Sequence, residues 1–214
     1  MADPYTEQDE LEKIKQWWKT YGSALLTGIA LGVAILFGNK YWTDYKQQRA
    51  EAGSALYDKL LEDYRKKAFD NVRTTGATLK EDYASTPYAG LAAMVLARIS
   101  FDAKQNDDVR NQLQWAVDHA TDTGTRHAAR LRLAHMSAAD GDVDAALSLV
   151  DIEDIAGFES DYEELRADLL AAKGDKQAAR EAYRRAIERL DAASSSYLAI
   201  LNMKLDDLGP ETGQ

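Results

Sequence analysis

An uncharged stretch near the N-terminus, residues 21–38 (YGSALLTGIALGVAILFG), constrains the fold of this chain more than any other feature. Its length as an α-helix is about 27 Å, close to the roughly 30 Å hydrocarbon core of a bilayer. Aromatic residues stand at both ends of the stretch, and such rings prefer the headgroup region. They are Trp17, Trp18 and Tyr21 at its start and Tyr41, Trp42 and Tyr45 after its end. The stretch therefore predicts one membrane-spanning helix over residues 21–42.

A cleaved signal peptide and a buried core helix are the two alternatives for this stretch. A signal peptide has a basic N-region and small residues at its cleavage site. Here several acidic residues precede the stretch and the bulky sequence NKYW follows it. A core helix would need apolar partners on all sides, and no other part of the sequence is apolar enough to supply them. An uncleaved anchor is therefore favoured.

Within the predicted span, Ala24, Gly28 and Gly32 recur every four residues and so share one helix stripe. Small residues at this spacing let a second membrane helix approach closely. Glycine is also simply common in membrane helices, so both interpretations of the stripe stay open. Three basic residues lie near each end of the span, and the positive-inside rule therefore leaves its orientation undecided.

The composition of the chain predicts an all-α protein and excludes several functions. The net charge of −10 argues against a nucleic-acid-binding surface, which needs a basic stripe. Cysteine is absent, which excludes disulfides, thiolate metal sites and cysteine nucleophiles. Only three prolines occur among 214 residues, and the sequence is rich in good helix formers.

Residues 68–87 contain Gly76 and Pro87, which predicts a hinge between the anchor and the main domain. The predicted organisation is an N-terminal arm (1–20), the span (21–42), a juxtamembrane helical segment with the hinge (43–87), a repeat domain (88–209) and a tail (210–214).

The repeat domain is predicted from recurring patterns after Tyr88. The pairs Leu96-Ala97 and Leu133-Ala134 align, as do Gly141-Asp142 and Gly174-Asp175, with offsets of 37 and 33 residues. These offsets are close to the 34 residues of a tetratricopeptide repeat. The pattern predicts three helix pairs, followed by a closing amphipathic helix over residues 196–208. An unrelated helical bundle is the alternative.

Each predicted pair has a small residue on its first helix and a tight turn before its second. Ala97, Ala134 and Ala167 are the small residues, and they let the second helix pack closely. In the Gly-Asp turns the glycine accepts a positive φ and the aspartate caps the next helix. The first pair departs from the pattern, because Lys104 stands in the place of the glycine and Val109 in the place of an alanine.

The first helices of a tetratricopeptide solenoid line its concave face, so their outward positions are candidates for binding a partner. A mixture of apolar and oppositely charged side chains there suits an extended or helical polypeptide segment. The alternative is that several of them pack against the preceding helix at residues 57–64. The candidates are Leu91, Met94, Arg98, Phe101, Leu131, His135, Glu164 and Asp168.

The sequence predicts no enzyme, no cofactor and no metal site. The three histidines are His119, His127 and His135, and none has the i, i+4 spacing of a two-histidine metal site. Neither a nucleophile elbow nor a glycine-rich phosphate loop is present.

The whole chain resembles the YfgM-like family. The resemblance rests on an acidic arm leading to QWWKTYGSALLTGIALGVAILFGNKYW, on RAEAGSALYDKLLEDY, and on TPYAGLAAMVLAR. It continues in RLRLAHMSAADGDVDAALSLVD, LRADLLAAKGDKQAAREAYRRAI and the closing NMKLDDL. The family implies a bacterial inner-membrane protein with one N-terminal span, its N-terminus in the cytoplasm, and a periplasmic tetratricopeptide-like domain.

The resemblance also implies a function, namely a non-catalytic ancillary subunit of the Sec translocon. The implied partners are the SecYEG channel, a membrane-anchored periplasmic chaperone (PpiD-like), secreted client polypeptides and the lipid bilayer. The alternative is a membrane-anchored structural or regulatory scaffold for an envelope complex unrelated to secretion.

Overall fold

The computed structural model describes residues 4–155, 157–190 and 195–209, and these residues form helices joined by turns, without strands. The all-α fold class predicted from the sequence is confirmed. The chain divides into two compact units, residues 1–51 and 52–214. The helices in chain order are α1 (Pro4–Arg65), α2 (Phe69–Asp82), α3 (Pro87–Asp102), α4 (Asn106–His119), α5 (Thr123–Ala139), α6 (Val143–Val150), α7 (Glu159–Lys173), α8 (Lys176–Glu188) and α9 (Ser195–Asp207).

The first unit consists of the N-terminal part of α1. In the described part of the chain, no single straight helix is both long and apolar enough to cross a membrane. Two parts of α1, Leu11–Ser23 and Leu26–Arg65, are bent by 42° and satisfy the requirement only together. The apolar side chains of this segment are exposed, as at Leu36 (72%) and Phe37 (71%). The membrane span remains a prediction.

The second unit is built of helix pairs, each joined by a turn with one residue at positive φ. These turn residues are Lys67 (φ 59°), Lys104 (φ 59°), Gly141 (φ 87°) and Gly174 (φ 90°), at spacings of 37, 37 and 33 residues. They join residues 52–65 of α1 to α2, α3 to α4, α5 to α6, and α7 to α8. We call these pairs 1 to 4, and α9 follows pair 4.

The same two hydrogen bonds close every turn. In pair 2, the N–H of Lys104 donates to the carbonyl of Phe101 and that of Gln105 to the carbonyl of Ser100, both at 2.9 Å. The equivalent bonds recur at Lys67, Gly141 and Gly174. This arrangement, the Schellman motif, satisfies carbonyls that the end of a helix leaves unpaired.

The aspartates after the two glycines cap the second helices, as the sequence predicted. The carboxylate of Asp142 accepts from the N–H of Ala145 at 3.0 Å, and that of Asp175 from the N–H of Ala178 at 3.1 Å. Such a cap satisfies one of the free N–H groups at the start of a helix. Neither Ala68 nor Gln105, which follow the lysine turns, makes a side-chain cap.

Pair 1 was not among the three predicted helix pairs. Leu60 of α1 is fully buried together with Val72 and Leu79 of α2 and Leu96 of α3. Gly76 lies inside α2, and a Cβ there would be 2.9 Å from Cδ1 of Leu96. The predicted hinge segment therefore contains a packed helix, and its glycine provides close contact with α3. The turn of this pair has Lys67 in place of glycine. Because the glycine is missing, the Gly-Asp pattern did not identify this pair as a repeat.

Equivalent positions in the four pairs are buried, each in the hydrophobic cluster of its own pair. The residue seven positions before each turn residue is buried, and in three pairs it is the predicted alanine. The residue five positions after each turn residue is buried as well, and there it is always alanine or valine. These small or β-branched side chains let the two helices of a pair pack closely. The first set is Leu60, Ala97, Ala134 and Ala167, and the second is Val72, Val109, Ala146 and Ala179.

A large side chain compensates for the short second helix of pair 3. Gly90 lies fourteen positions before the turn residue of pair 2, and a Cβ there would be 2.7 Å from the Cβ of Ala120 at the end of α4. The equivalent residue of pair 3 is His127. Helix α6 has only 8 residues, and the His127 ring packs against Phe158 in the longer connection that follows (centroids 4.8 Å apart).

We predict opposite effects of substitutions at two turn residues. Lys104→Gly should stabilise the chain by up to about 1 kcal/mol, because a left-handed conformation costs a residue with a Cβ roughly 1–2 kcal/mol and the greater freedom of unfolded glycine offsets part of the gain. Gly174→Ala should destabilise it by about 1 kcal/mol for the reverse reason. Urea unfolding of the full chain in detergent, followed by far-UV circular dichroism, measures both. Shifts of the same sign would contradict the common role of these turns.

Candidate functional site

Four of the predicted surface residues line one cavity of about 370 Å³. Met94, Arg98 and Phe101 reach it from α3, and His135 reaches it from α5. Val109 and Leu113 of α4 also line it, and both are buried in the core of pair 2. The remaining lining residues are Ala97, Arg132, Met136 and Ala139. The cavity therefore opens between the first helices of pairs 2 and 3.

The cavity combines an apolar interior with basic groups at its edge. Arg98 and Arg132 are both exposed. The Nε of Arg98 donates to Asp102 at 3.1 Å, and Nη1 of Arg132 donates to the carbonyl of Ala128 at 3.1 Å. Both contacts stay within the arginine's own helix. The edge thus holds two guanidinium groups and one carboxylate in a chain whose net charge is −10.

The predicted residues of pair 4 face α9 instead. Lys204 donates to Glu164 at 2.8 Å and to Asp168 at 2.7 Å. The hydroxyl of Tyr197 donates to Glu164, and that of Tyr183 donates to Asp168. Hydrogen bonds within the chain thus engage both carboxylates.

These contacts change the proton affinity of the groups that surround the two carboxylates. Burial raises the pKa values of Tyr183 and Tyr197, and the hydrogen bonds to carboxylates raise them further. Burial would lower the pKa of Lys204, but its bonds to Asp168 and Glu164 outweigh that effect and raise it. The lysine is therefore charged and both phenols are neutral at neutral pH, which is the state that the hydrogen bonds require.

The other two predicted surface residues contribute less. Leu131 is half-buried and packs against a core cluster that includes Val150 and Leu165. Leu91 is half-buried on α3 and does not line the cavity.

The sequence pattern did not identify Arg132, Met136, Leu113 or the partners on α9. Arg132 and Met136 lie one residue after the candidates Leu131 and His135, so a one-residue rotation of the assumed helix face would have found them. Lys204 could have been identified as a partner for acidic residues, since it is a basic residue among the leucines of the closing helix. Of those leucines, Leu201 and Leu208 are buried, and Leu198 is exposed at 37%.

The three histidines have different surroundings. His119 stacks on Trp115 of its own helix, with centroids 4.9 Å apart. Nδ1 of His127 is hydrogen-bonded to the Tyr162 hydroxyl at 2.9 Å in the core, and His135 faces the cavity. Over the residues described, no group of three or more potential ligands could hold a metal ion.

The small-residue stripe of α1 is open at the positions that can be described. A Cβ built on Gly28 or on Gly32 would meet no atom within 4 Å. The side chain of Ala24 lies outside the described residues. The use of this stripe by a second helix remains a prediction.

Helix pairs in tandem, closed by similar turns and sharing equivalent core positions, define an α-helical repeat protein. The profile of the family described as a tetratricopeptide repeat-like domain matches residues 15–210. The chain belongs to this family, and the tetratricopeptide-like fold predicted from the sequence is confirmed.

Curated relatives match nearly the whole chain. A protein of Escherichia coli (strain K12) is 27% identical over 202 residues, which cover 94% of this chain and 96% of that protein. A protein of Haemophilus influenzae is 27% identical over 212 residues, covering 97% of this chain and 100% of its own length. One of Neisseria gonorrhoeae is 27% identical over 209 residues, with the same two coverages. Each is named ancillary SecYEG translocon subunit, and the family resemblance seen in the sequence is confirmed.

We predict that Lys204 is needed to hold α9. Lys204→Met keeps the aliphatic stem but leaves two half-buried carboxylates without their cation, which should cost about 2 kcal/mol. Relative to the wild-type chain, hydrogen exchange of the variant should then be accelerated more in residues 195–209 than in α3–α5. The matched control is Lys173→Met, which breaks a pair with Asp144 whose side chains are 52% and 79% exposed. It should cost less than about 1 kcal/mol. Equal effects of the two substitutions would contradict the prediction.

We predict that His127 makes the repeat domain less stable in mild acid. Burial lowers the pKa of His127, Arg130 lowers it further, and Asp154 partly opposes them. The unfolded chain therefore binds the proton more readily. The stability that His127 contributes is complete above its ordinary pKa of 6.5 and is lost as the pH falls through the lowered value.

Thermal unfolding between about pH 7.5 and 5.5 measures this loss, which should be smaller in His127→Asn. The amide retains a partner for the Tyr162 hydroxyl but does not titrate. His135→Asn is the matched control at an exposed histidine. The assignment to His127 would fail if the two variants behaved alike.

Proposed function

We propose that this chain is a non-catalytic ancillary subunit of the Sec translocon. The observation that carries the proposal is the end-to-end similarity to relatives with that name, which leaves no large part of either chain unmatched. A repeat fold supports a binding role, because stacked helix pairs provide extended surfaces for other polypeptides. On this proposal the chain resides at the bacterial inner membrane.

We propose that α1 anchors the chain through a single span over residues 21–42. Two features support the anchor: the exposed apolar side chains of the segment and its aromatic residues. Trp17, Trp18 and Tyr21 are 50–55% exposed at one end, and Tyr41 and Trp42 are 73% and 56% exposed at the other. Rings of this kind stabilise both interfaces of a span. By resemblance to the family, the N-terminus is cytoplasmic and the repeat domain periplasmic.

In this arrangement the two parts of the chain divide the work. The span docks beside SecYEG through the stripe of Ala24, Gly28 and Gly32. The repeat domain binds a membrane-anchored periplasmic chaperone (PpiD-like) or an emerging client polypeptide. Tethering raises the effective concentration of the repeat domain at the exit of the channel, so modest affinities are enough. A scaffold for an envelope complex unrelated to secretion is the alternative.

We predict different crosslinking partners for the two parts in cells. A photoreactive residue at Gly28 or Gly32 should crosslink to channel subunits, and one at Met94 or His135 to a periplasmic chaperone or a secretory polypeptide. Leu26 is the control in the span, since it points about 200° away from Gly28. Glu181, exposed on α8, is the control in the repeat domain.

The membrane fraction is then solubilised in mild detergent and probed for channel subunits. Co-purification together with position-dependent crosslinks would support the translocon assignment. Crosslinks only to unrelated envelope proteins, with no channel subunits retained, would reject it in favour of the alternative scaffold.

A further inference from the structure

We propose that the cavity between α3 and α5 binds a partner polypeptide at a large apolar side chain flanked by carboxylates. The inference rests on the proposed function, because it specifies what the repeat domain recognises. Three observations carry it: an unfilled position in the repeat, the charge at the edge of the cavity, and the side chains that line it.

The equivalent position in pair 4 is filled from within the chain. Tyr183 lies nine residues after its turn residue, as Leu113 does in pair 2. Tyr183 is buried with Ala167 and Leu201, and its hydroxyl donates to Asp168. Because leucine is shorter than tyrosine and lacks the hydroxyl, the corresponding space above Leu113 is open.

The same position is filled in the other two pairs as well. Gly76 of pair 1 has the side chain of Leu96 against it, and Val150 of pair 3 is buried with Tyr162 and Leu165. Of the four pairs in the described residues, pair 2 thus has the unfilled position. A volume of about 370 Å³ is within the usual range of ligand pockets and is sufficient for an aromatic side chain.

The charge at the edge selects the residues that flank this side chain. Asp168 accepts the tyrosine hydroxyl in pair 4, whereas the equivalent position in pair 2 is Arg98, a donor. A second donor, Arg132, lies across the cavity on α5. Two guanidinium groups favour carboxylates, which they can bind through paired hydrogen bonds. Asp102 is a weak competitor, since its pair with Arg98 is exposed on both sides.

Methionines make the cavity tolerant of the side chain that enters. Met94 of α3 and Met136 of α5 both line the cavity, and both are only partly buried. Unbranched thioether chains adapt to ligands of different shape. We therefore infer a class of segments, with phenylalanine, leucine or methionine at the centre and acidic neighbours, rather than one sequence.

The test uses the full chain in detergent and a fluorescein-labelled peptide whose central phenylalanine is flanked by two glutamates on each side. Fluorescence anisotropy measures its dissociation constant. Replacing the phenylalanine with alanine should weaken binding at least about tenfold, since the buried ring provides most of the affinity. Replacing the glutamates with lysines should weaken it at least about threefold at low salt, and less at high salt.

Two substitutions test the position of the site, each with a matched control. Ala139→Phe places a ring at the cavity from an exposed position in the last turn of α5, and should abolish binding. Its control is Ala172→Phe, at the equivalent exposed position of α7, which should leave binding unchanged. Arg132→Glu should weaken binding of the acidic peptide, and the control Arg189→Glu, at the exposed residue directly after α8, should not. Circular dichroism verifies that each variant is folded.

The outcomes separate this inference from the proposed function. The inference is overturned if the acidic and basic peptides bind alike, if Ala139→Phe and Ala172→Phe behave alike, or if no peptide binds. It is also overturned if light scattering shows a dimer of this chain that Ala139→Phe converts to a monomer, because the cavity would then bind a second copy. Retention of channel subunits in those cases would leave the proposed function standing. Selective peptide binding by a chain that retains no channel subunits would reject the translocon assignment and leave the cavity chemistry established.

Discussion

The left-handed turn that closes each helix pair is the constraint on which the repeat domain depends. One residue at positive φ, with two hydrogen bonds back to the preceding helix, fixes where the second helix starts relative to the first. The buried residue seven positions before the turn then meets the one five positions after it. Because the geometry recurs in all four pairs, the same two positions are buried in each pair and contribute to its hydrophobic cluster. Two of the turns use lysine, so the geometry is maintained where the sequence does not provide the residue that favours it.

Equivalent positions in this repeat serve different ends because their neighbours differ. The position six residues before the turn is Arg98 in pair 2 and Asp168 in pair 4. Asp168 is enclosed by α9 and holds Lys204 and Tyr183, so it contributes to closing the end of the repeat domain. Arg98 faces an open cavity, and its ion pair with Asp102 of the same helix is exposed. A polar group in a repeat therefore becomes structural or available for binding according to the element packed over it.

The proposed function combines a membrane tether with a binding surface. A shallow cavity with exposed charges offers only modest affinity, because much of the interaction is screened by solvent and salt. Attachment to a membrane beside a protein channel would compensate, since it holds the surface near each emerging segment. The cavity would then determine the selectivity for acidic, apolar segments, and the span would determine where in the cell the chain resides.

The sequence alone determined the fold class, the family, the Gly-Asp turns with their caps, the small residues of the core and the closing helix. These features follow from local chemistry: helix periodicity, the conformational freedom of glycine at Gly141 and Gly174, and the hydrogen-bonding reach of aspartate. The tertiary structure decided what local chemistry does not encode. It added pair 1, whose turn has Lys67 at positive φ and whose core contains Leu60 packed with Leu96 of the next pair. It also brought Met94, Arg98, Phe101 and His135 around one cavity and gave Glu164 and Asp168 to α9. Periodicity places a side chain on a helix face, but only the packing of distant segments determines whether that face is covered.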